Sequence, residues 1–341
     1  MDILKLISDK DRLDFSQNFA ITRNYMGDTL FNDIKTENFE AEYFRLTDGL
    51  QLPTMAKIHA LDTEAAIGTR PEIEKVTIEK LYIKEKLNQS ERLQLYLNKG
   101  VTSESALIDY VFDDMGRLAE NVKTRTEVAK MEAITKGKMT VKENNLNLVI
   151  DYGVPKENNF SFKWSDAEYD ILSDIQTMID AAKAKGKRVN KCITSTKIVS
   201  YLRKNKGIQT AMYGANGVGT FVSLGQLNTL LSDMFGFTIA VNDEMYLCPK
   251  SDGTKTTVRY VDEDRFVLYQ SGTNGAFGVG LWGTTPEEIA SGAYSAKSAQ
   301  QYITISQWQT PDPVAVWTKA SGLFVPVIPD PSALVIATIK F

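Results

Sequence analysis

Between Ser103 and Lys136 the sequence carries one unbroken helical pattern. Leu107, Val111, Met115, Leu118 and Val122 follow at spacings of 4, 4, 3 and 4, which sets them along one side of an α-helix as a core-facing stripe. Ala129 and Ala133 continue that side with small residues. Thr102 or Ser103 can accept the first free N–H groups, and the pairs Asp113/Arg117 and Glu132/Lys136 stand at i,i+4 in the favourable order. Gly137 is the expected left-handed stop, and Lys136 suits the negative end of the helix dipole. The pattern predicts a helix over 103–136, about 50 Å long at ~1.5 Å per residue and several times the average length. A coiled coil would keep its apolar heptads to the end, whereas this stripe thins after Val122. A long rod lying across a sheet is the expected setting.

What precedes the rod is poor in helical pattern. In residues 1–48 a short helix is expected at Ile3–Ser8. Within 31–46, Phe39, Ala41 and Tyr43 alternate with Glu40 and Glu42 as in an extended segment. This stretch has too little apolar content to fold alone and reads as an arm lying on something else. Residues 49–86 pass through Gly68 and Pro71 into VTIEKLYIKEKL, where Val76, Ile78, Leu81 and Ile83 punctuate Lys and Glu. Two extended segments with a polar middle predict a long hairpin-like excursion that a neighbour must pin.

After the rod, Met139 and Val141, a turn at Asn144-Asn145, and residues 146–150 predict a hairpin. From 166 onward the texture is mixed α/β. Ile171, Ile175, Met178, Ile179 and Ala182 form a helical face closed by Gly186, and VNKCIT (189–194) reads as a strand. Ser195 can cap a helix running to Asn205. The glycine-rich loop AMYGANGVGTF (211–221) then leads to a helix near Gln226–Phe235 and the strands FTIAVN, EMYLC, VRYV and RFVLY. Thr285-Pro286-Glu287-Glu288 is a helix start with Pro at its first position. The tail, 300–341, returns to strands: YITISQW, VAVW, LFVPVI and ALVIATI. The fold class is therefore α+β.

Composition narrows the function. The chain has 341 residues, 43% hydrophobic and 24% charged, room for one large domain or two. A net charge of −4 argues against a dedicated nucleic-acid binder. The two cysteines, Cys192 and Cys248, lack metal-ligand spacing and read as reduced packing residues. The acidic start MDILK has no apolar run behind it, and the most apolar stretches, 323–329 and 333–339, fall far short of the ~20 residues of a membrane span. An intracellular, soluble product with no membrane partner is expected.

Candidate chemistry is sparse. The single histidine, His59, lies in the polar excursion, and no G-x-S-x-G or Ser-His-Asp arrangement is recognisable. GANGVG (214–219) spaces its glycines as G-x-x-G-x-G, without a preceding strand or a Walker lysine, so a flexible loop tip is preferred over a phosphate cradle. A nucleotide-binding α/β enzyme using 214–219 stays open as the alternative. The acidic run VDEDRF (261–266) is read as a solvated hairpin turn rather than a metal site. The basic residues of 183–191 and 203–206 are read as a solvated face or a contact for an acidic partner. No catalytic, cofactor-binding or metal-ligating residue is assigned.

The order of elements resembles the HK97-type capsid fold, and more closely the phage major capsid protein E family, to which the lambda major capsid protein belongs. The residues that carry the resemblance are VAKMEAITKGKM (128–139) entering a strand, Trp164-Ser165-Asp166, and LFVPVIPDPSALVIATI (323–339). It implies an N-terminal arm at 1–48 and an E-loop at 49–86. It implies a peripheral domain from 87–165 and 300–341 with the long helix as its spine, and an inserted axial domain at 166–299. Phe39, Tyr43, Met55, Ile58, Ile67, Tyr213 and Asn216 are then expected at contacts between subunits. The resemblance further implies a major capsid protein of a tailed bacteriophage, assembling in the host bacterial cytoplasm into pentamers and hexamers of an icosahedral virion shell around double-stranded DNA. Such a protein is not an enzyme. No scaffold-like segment precedes the arm, so separate scaffold and portal proteins are expected. A decoration protein and non-specific contact with packaged DNA complete the expected partners. Another HK97-fold shell, or a tail-tube subunit, shares the same logic.

Overall fold

The computed structural model describes residues 23–46, 52, 55, 64, 73–89, 104–143, 146–250, 252–272, 275–289, 294–295, 302–312 and 314–341. The short helix α1 (Met26–Leu30) runs directly into β1 (Phe31–Thr36), followed by β2 (Glu40–Leu46), β3 (Ile73–Glu79) and β4 (Leu81–Gln89). The rod is α2 (Glu104–Lys136). It stops at Gly137, whose φ of 65° places it in the left-handed region and whose N–H reaches back to the Ala133 carbonyl. Strands β5 (Lys138–Glu143) and β6 (Leu146–Asp151) form the hairpin, and β7 (Asn159–Lys163) follows.

The chain then continues through α3 (Ile171–Ala184), β8 (Lys191–Thr194), α4 (Thr196–Lys204), α5 (Lys206–Tyr213), α6 (Leu224–Phe235) and β9 (Thr238–Val241). Next come β10 (Met245–Pro249), β11 (Lys255–Arg259), β12 (Arg265–Tyr269), β13 (Gly278–Gly283), α7 (Pro286–Ile289) and β14 (Tyr294–Ser295). The last strands are β15 (Thr304–Pro311), β16 (Val314–Val327) and β17 (Leu334–Lys340). The expected helix at Ile3–Ser8, the cap at Thr102 or Ser103 and the turn at Asn144-Asn145 lie outside the described residues.

The chain divides into two compact units, 1–41 with 77–130 and 279–326, and 42–76 with 131–278 and 327–341. In the first unit a six-stranded sheet is ordered β1-β13-β16-β15-β14, with β4 also paired to β16. Met115, Leu118 and Val122 of the predicted stripe are buried in it. Leu107 and Val111 lie in the helix, but their side chains fall outside the described residues. Gly322 explains how closely the helix approaches the sheet. A Cβ there would stand 2.9 Å from the Trp282 ring and 3.4 Å from Val122. VAVW and LFVPVI, which read as separate strands, run as the single 14-residue β16.

The described part of 1–48 packs on its own chain. Tyr25, Leu30, Phe31 and Ala41 are buried, and β1 is an edge strand of the six-stranded sheet. Few apolar residues suffice here because backbone pairing and a cluster of ions, described below, supply the rest of the attachment.

The second unit is built on a five-stranded sheet, β7-β17-β12-β8-β9, in which β17 runs antiparallel to β12 and parallel to β7. The predicted face Ile171, Ile175, Met178, Ile179 and Ala182 is fully buried against it. Each surrounding helix is locally capped. The Asp170 side chain accepts from Ser173 N–H, Ser195 from Ile198, and Ser223 with Gln226 forms a reciprocal capping box. Helix α5 was not legible in the sequence because Gly207 reads as a stop. Asn205 ends α4 and then starts α5, its carboxamide oxygen accepting from Ile208 N–H while its NH2 donates to the Ala167 and Tyr169 carbonyls.

Candidate assembly surfaces

In the first unit, the helix α1 and strand β1 are held to α2 by buried ions. Lys130, fully buried, contacts Asp28 at 3.0 Å and Asp33 at 2.8 Å; Lys123 contacts Asp28 at 2.8 Å. Glu127, one turn from both lysines, accepts the Gly27 N–H. Burial pushes the Glu127 carboxyl up to about 7, despite the opposing pull of Gly27 N–H and Lys130. Burial alone would also raise Asp28, but Lys130 and Lys123 outweigh it and the net shift is downward.

A second node joins β4, β16 and α7. Glu287 accepts from the Tyr82 hydroxyl, the Lys319 ammonium and, at 3.0 Å, the Ser321 hydroxyl. Burial would raise Glu287, but these donors bring it down to about 2.

The expected contact residues fall into three groups. Phe39 is half exposed, Met55 almost wholly so, and Tyr213 and Asn216 stand at the surface beside Val218 and Phe221. Tyr43 is half-buried, and its hydroxyl is pushed upward by burial. Ile58 and Ile67, with His59, lie outside the described residues. Sequence reasoning missed Phe44 and Phe221, 67% and 77% exposed, and the exposed strand residues Leu146 and Leu247. Their signal was available: in β2 the exposed face is Glu40, Glu42 and Phe44, opposite the buried Ala41.

The glycine-rich loop is not shaped for a phosphate. Gly219 N–H is already taken by the Gln209 carboxamide oxygen at 2.8 Å, Gly217 N–H by Gly214, and Thr220 N–H by Gly217. Gln209 is itself nearly buried, and its NH2 donates to the Arg203 carbonyl at 2.9 Å. With the Gly214, Gly217, Gly219 and Thr220 amides already engaged, the loop keeps few N–H groups for a phosphate, and the nucleotide-enzyme alternative is not favoured.

The acidic run 261–266 is not a hairpin turn. It links β11 to β12, which belong to different sheets, and Val261 is buried. Its carboxylates are neutralised: Glu263 by Lys197 and Arg259, Asp262 by Lys136, and Asp264 by Arg265. The basic stretch is similarly paired, Lys185 with Glu157, Lys206 with Glu168, and the buried Lys187 with Asp330. Among the described residues no group of three or more His, Cys, Asp or Glu could hold a metal ion, and no helix is long and apolar enough to cross a membrane.

A protein-family model described as phage major capsid protein E matches residues 19–339. No curated protein matches the chain by sequence. Among solved structures, a prophage protein of E. coli CFT073 assigned to the capsid is similar with a TM-score of 0.62 at 18% identity, over 98% of this chain and 99% of its own. A phage-related protein of Bordetella bronchiseptica RB50 gives 0.58 at 9%, over 97% of each chain. The mature capsid of bacteriophage PhiM1 gives 0.53 at 10%, over 95% of this chain and 89% of its own. At these identities the structures establish the HK97-type capsid fold, and the family model establishes kinship: the chain belongs to the phage major capsid protein E family.

Proposed function

We propose that this chain is the repeated subunit of a tailed-phage head, closing as pentamers and hexamers into an icosahedral shell around double-stranded DNA. The observation that carries the reading is the family match over residues 19–339, nearly the whole chain. The function is structural: copies of one subunit bind one another through unlike surfaces, and the rotation between neighbours closes the shell. Exposed aromatic residues on narrow ribbons and loop tips, such as Phe44 and Phe221, support the reading because an isolated ribbon gains stability when a partner covers it.

Within that shell, 166–299 serves as the axial domain, with Tyr213 and Asn216 facing the symmetry axes. Residues 87–165 and 300–341 serve as the peripheral domain with α2 as its spine, 49–86 as the E-loop, and 1–48 as the arm. Separate scaffold and portal proteins direct closure in the host cytoplasm, a decoration protein is a further candidate, and packaged DNA touches the inner surface without sequence preference. Expression of the chain followed by negative-stain electron microscopy tests this. Closed icosahedral particles are expected, by themselves or with a co-expressed scaffold. Tubes, or subunits that never associate at any concentration, would overturn it.

A further inference from the structure

One face of the six-stranded sheet carries chemistry that its own unit leaves unused. Antiparallel pairing sets Trp308 opposite Trp317, with rings 6.2 Å apart and 12° from parallel. The next strand places Asn88, Lys86 and Lys84 opposite Trp317, Lys319 and Ser321. Lys86 extends its ammonium over the Trp317 ring at 4.2 Å, and Lys319 over Trp308 at 5.7 Å. Glu287 neutralises Lys319. No carboxylate among the described residues pairs with Lys84 or Lys86, both exposed, while the two indoles remain half-buried. The result is a flat step of two lysines ending on an aromatic shelf.

The complement stands on β2. Its outer face presents Glu40, Glu42 and Phe44 at alternate positions, all exposed. Among the described residues Glu42 is partnered only by Lys75, a half-exposed ion pair at 2.8 Å. Alternate residues of a strand recur at about 6.7 Å, so acid-acid-aromatic on β2 matches the period of Lys84, Lys86 and Asn88 on β4, and Trp317 stands beside Asn88 on the neighbouring strand β16. We propose that the Lys84/Lys86/Trp317 face of one subunit receives the Glu40/Glu42/Phe44 face of β2 from a second copy. The carboxylates meet the two ammoniums, and Phe44 lies against the indoles. The contact is heterologous, each subunit giving one half and receiving the other, as a propagating shell requires. It rests on the shell reading and names the surfaces that reading needs.

Charge reversal in trans tests it. E40K/E42K and K84E/K86E, each alone, should form shells at a yield at least about tenfold below wild type, because like charges then face across the contact. In an equal mixture, unlike copies meet through two reversed halves or two native halves, so pairwise association and even-numbered alternating rings should recover, whereas five-membered rings need the quadruple variant. The quadruple variant should recover as well. Retained yield in either single variant, or failure of both the mixture and the quadruple variant to recover, would overturn the contact. Circular dichroism and thermal unfolding of the unassembled subunits separate misfolding from lost contact. Trp fluorescence reads the shelf directly: assembly should shift the emission of wild type, and a W308F/W317F variant should lose most of that shift. A single-stranded oligonucleotide held by unassembled wild type but not by K84E/K86E would reassign the face to nucleic acid and overturn the proposal. Wild type that forms no particles would instead sink the shell reading itself.

Discussion

Glu127 accepts the Gly27 backbone N–H through both carboxylate oxygens, at 2.9 and 3.0 Å. The bond joins residues a hundred positions apart and explains why residue 27 is glycine. A Cβ there would sit 2.2 Å from Glu127 Oε2 and 2.8 Å from Lys130 Cδ. The same contact makes the attachment of α1 and β1 to the rod dependent on pH.

Glu127 titrates near 7 in the folded chain against an ordinary value of 4.5. Its folded pKa is raised, so the folded state holds the proton more tightly. The stability this gives is fully present below about 4.5 and is lost as pH rises through about 7. The shift corresponds to roughly 3 kcal/mol at most. With Glu127 ionised, three carboxylates (Glu127, Asp28 and Asp33) face two ammoniums, Lys123 and Lys130. Glu127→Gln keeps an acceptor for Gly27 but cannot ionise. The thermal midpoint of the wild type should fall between pH 5 and 8, and that of the variant should fall markedly less. Parallel pH profiles would refute the assignment.

Asp28 moves the other way, its folded pKa lowered by Lys130 and Lys123 against burial. Its contribution is present above the ordinary value of 3.8 and lost as pH falls through the lower folded value. Amide exchange of residues 26–33 should therefore quicken in strong acid, and Asp28→Asn should remove that acid dependence.

Gly27→Ala forces a methyl group into the Glu127 carboxylate and the Lys130 stem. A cost of about 2 kcal/mol or more is expected, since Glu127 cannot withdraw without losing the Gly27 N–H, nor Lys130 without leaving Asp28 and Asp33. Chemical denaturation measures it, and a loss below about 0.5 kcal/mol would show that the helix end gives way easily.

Leu118 is wholly buried on the rod's apolar side. Leu118→Asp places an unpaired carboxylate there, at a cost of several kcal/mol, about 4. Insoluble product and no particles are expected; normal particles would mean that this side of the rod is not a core.

Gln209 secures the glycine-rich loop by accepting from Gly219 N–H. Gln209→Ala should speed amide exchange across 214–221 and cost about 1–3 kcal/mol, because the amide is left without its partner. The rest of the second unit should keep its protection.

The sequence alone determined the local elements. Period 3.6 wrote the rod, Gly137 ended it, the capping residue Ser195 began its helix, and short apolar runs wrote the final strands, because each signal lies within a few residues of its consequence. Tertiary structure decided what no local window contains. Asn205 could serve two helices only once Ala167 and Tyr169 were beside it. VDEDRF became a link between two sheets because β11 and β12 chose different partners. Glu127 read as one more charge on a helix until the fold brought Gly27 to it and took away the water. Burial and distant pairing are properties of the closed chain, and so the ionic clasp and the lysine-tryptophan face emerged only with the fold.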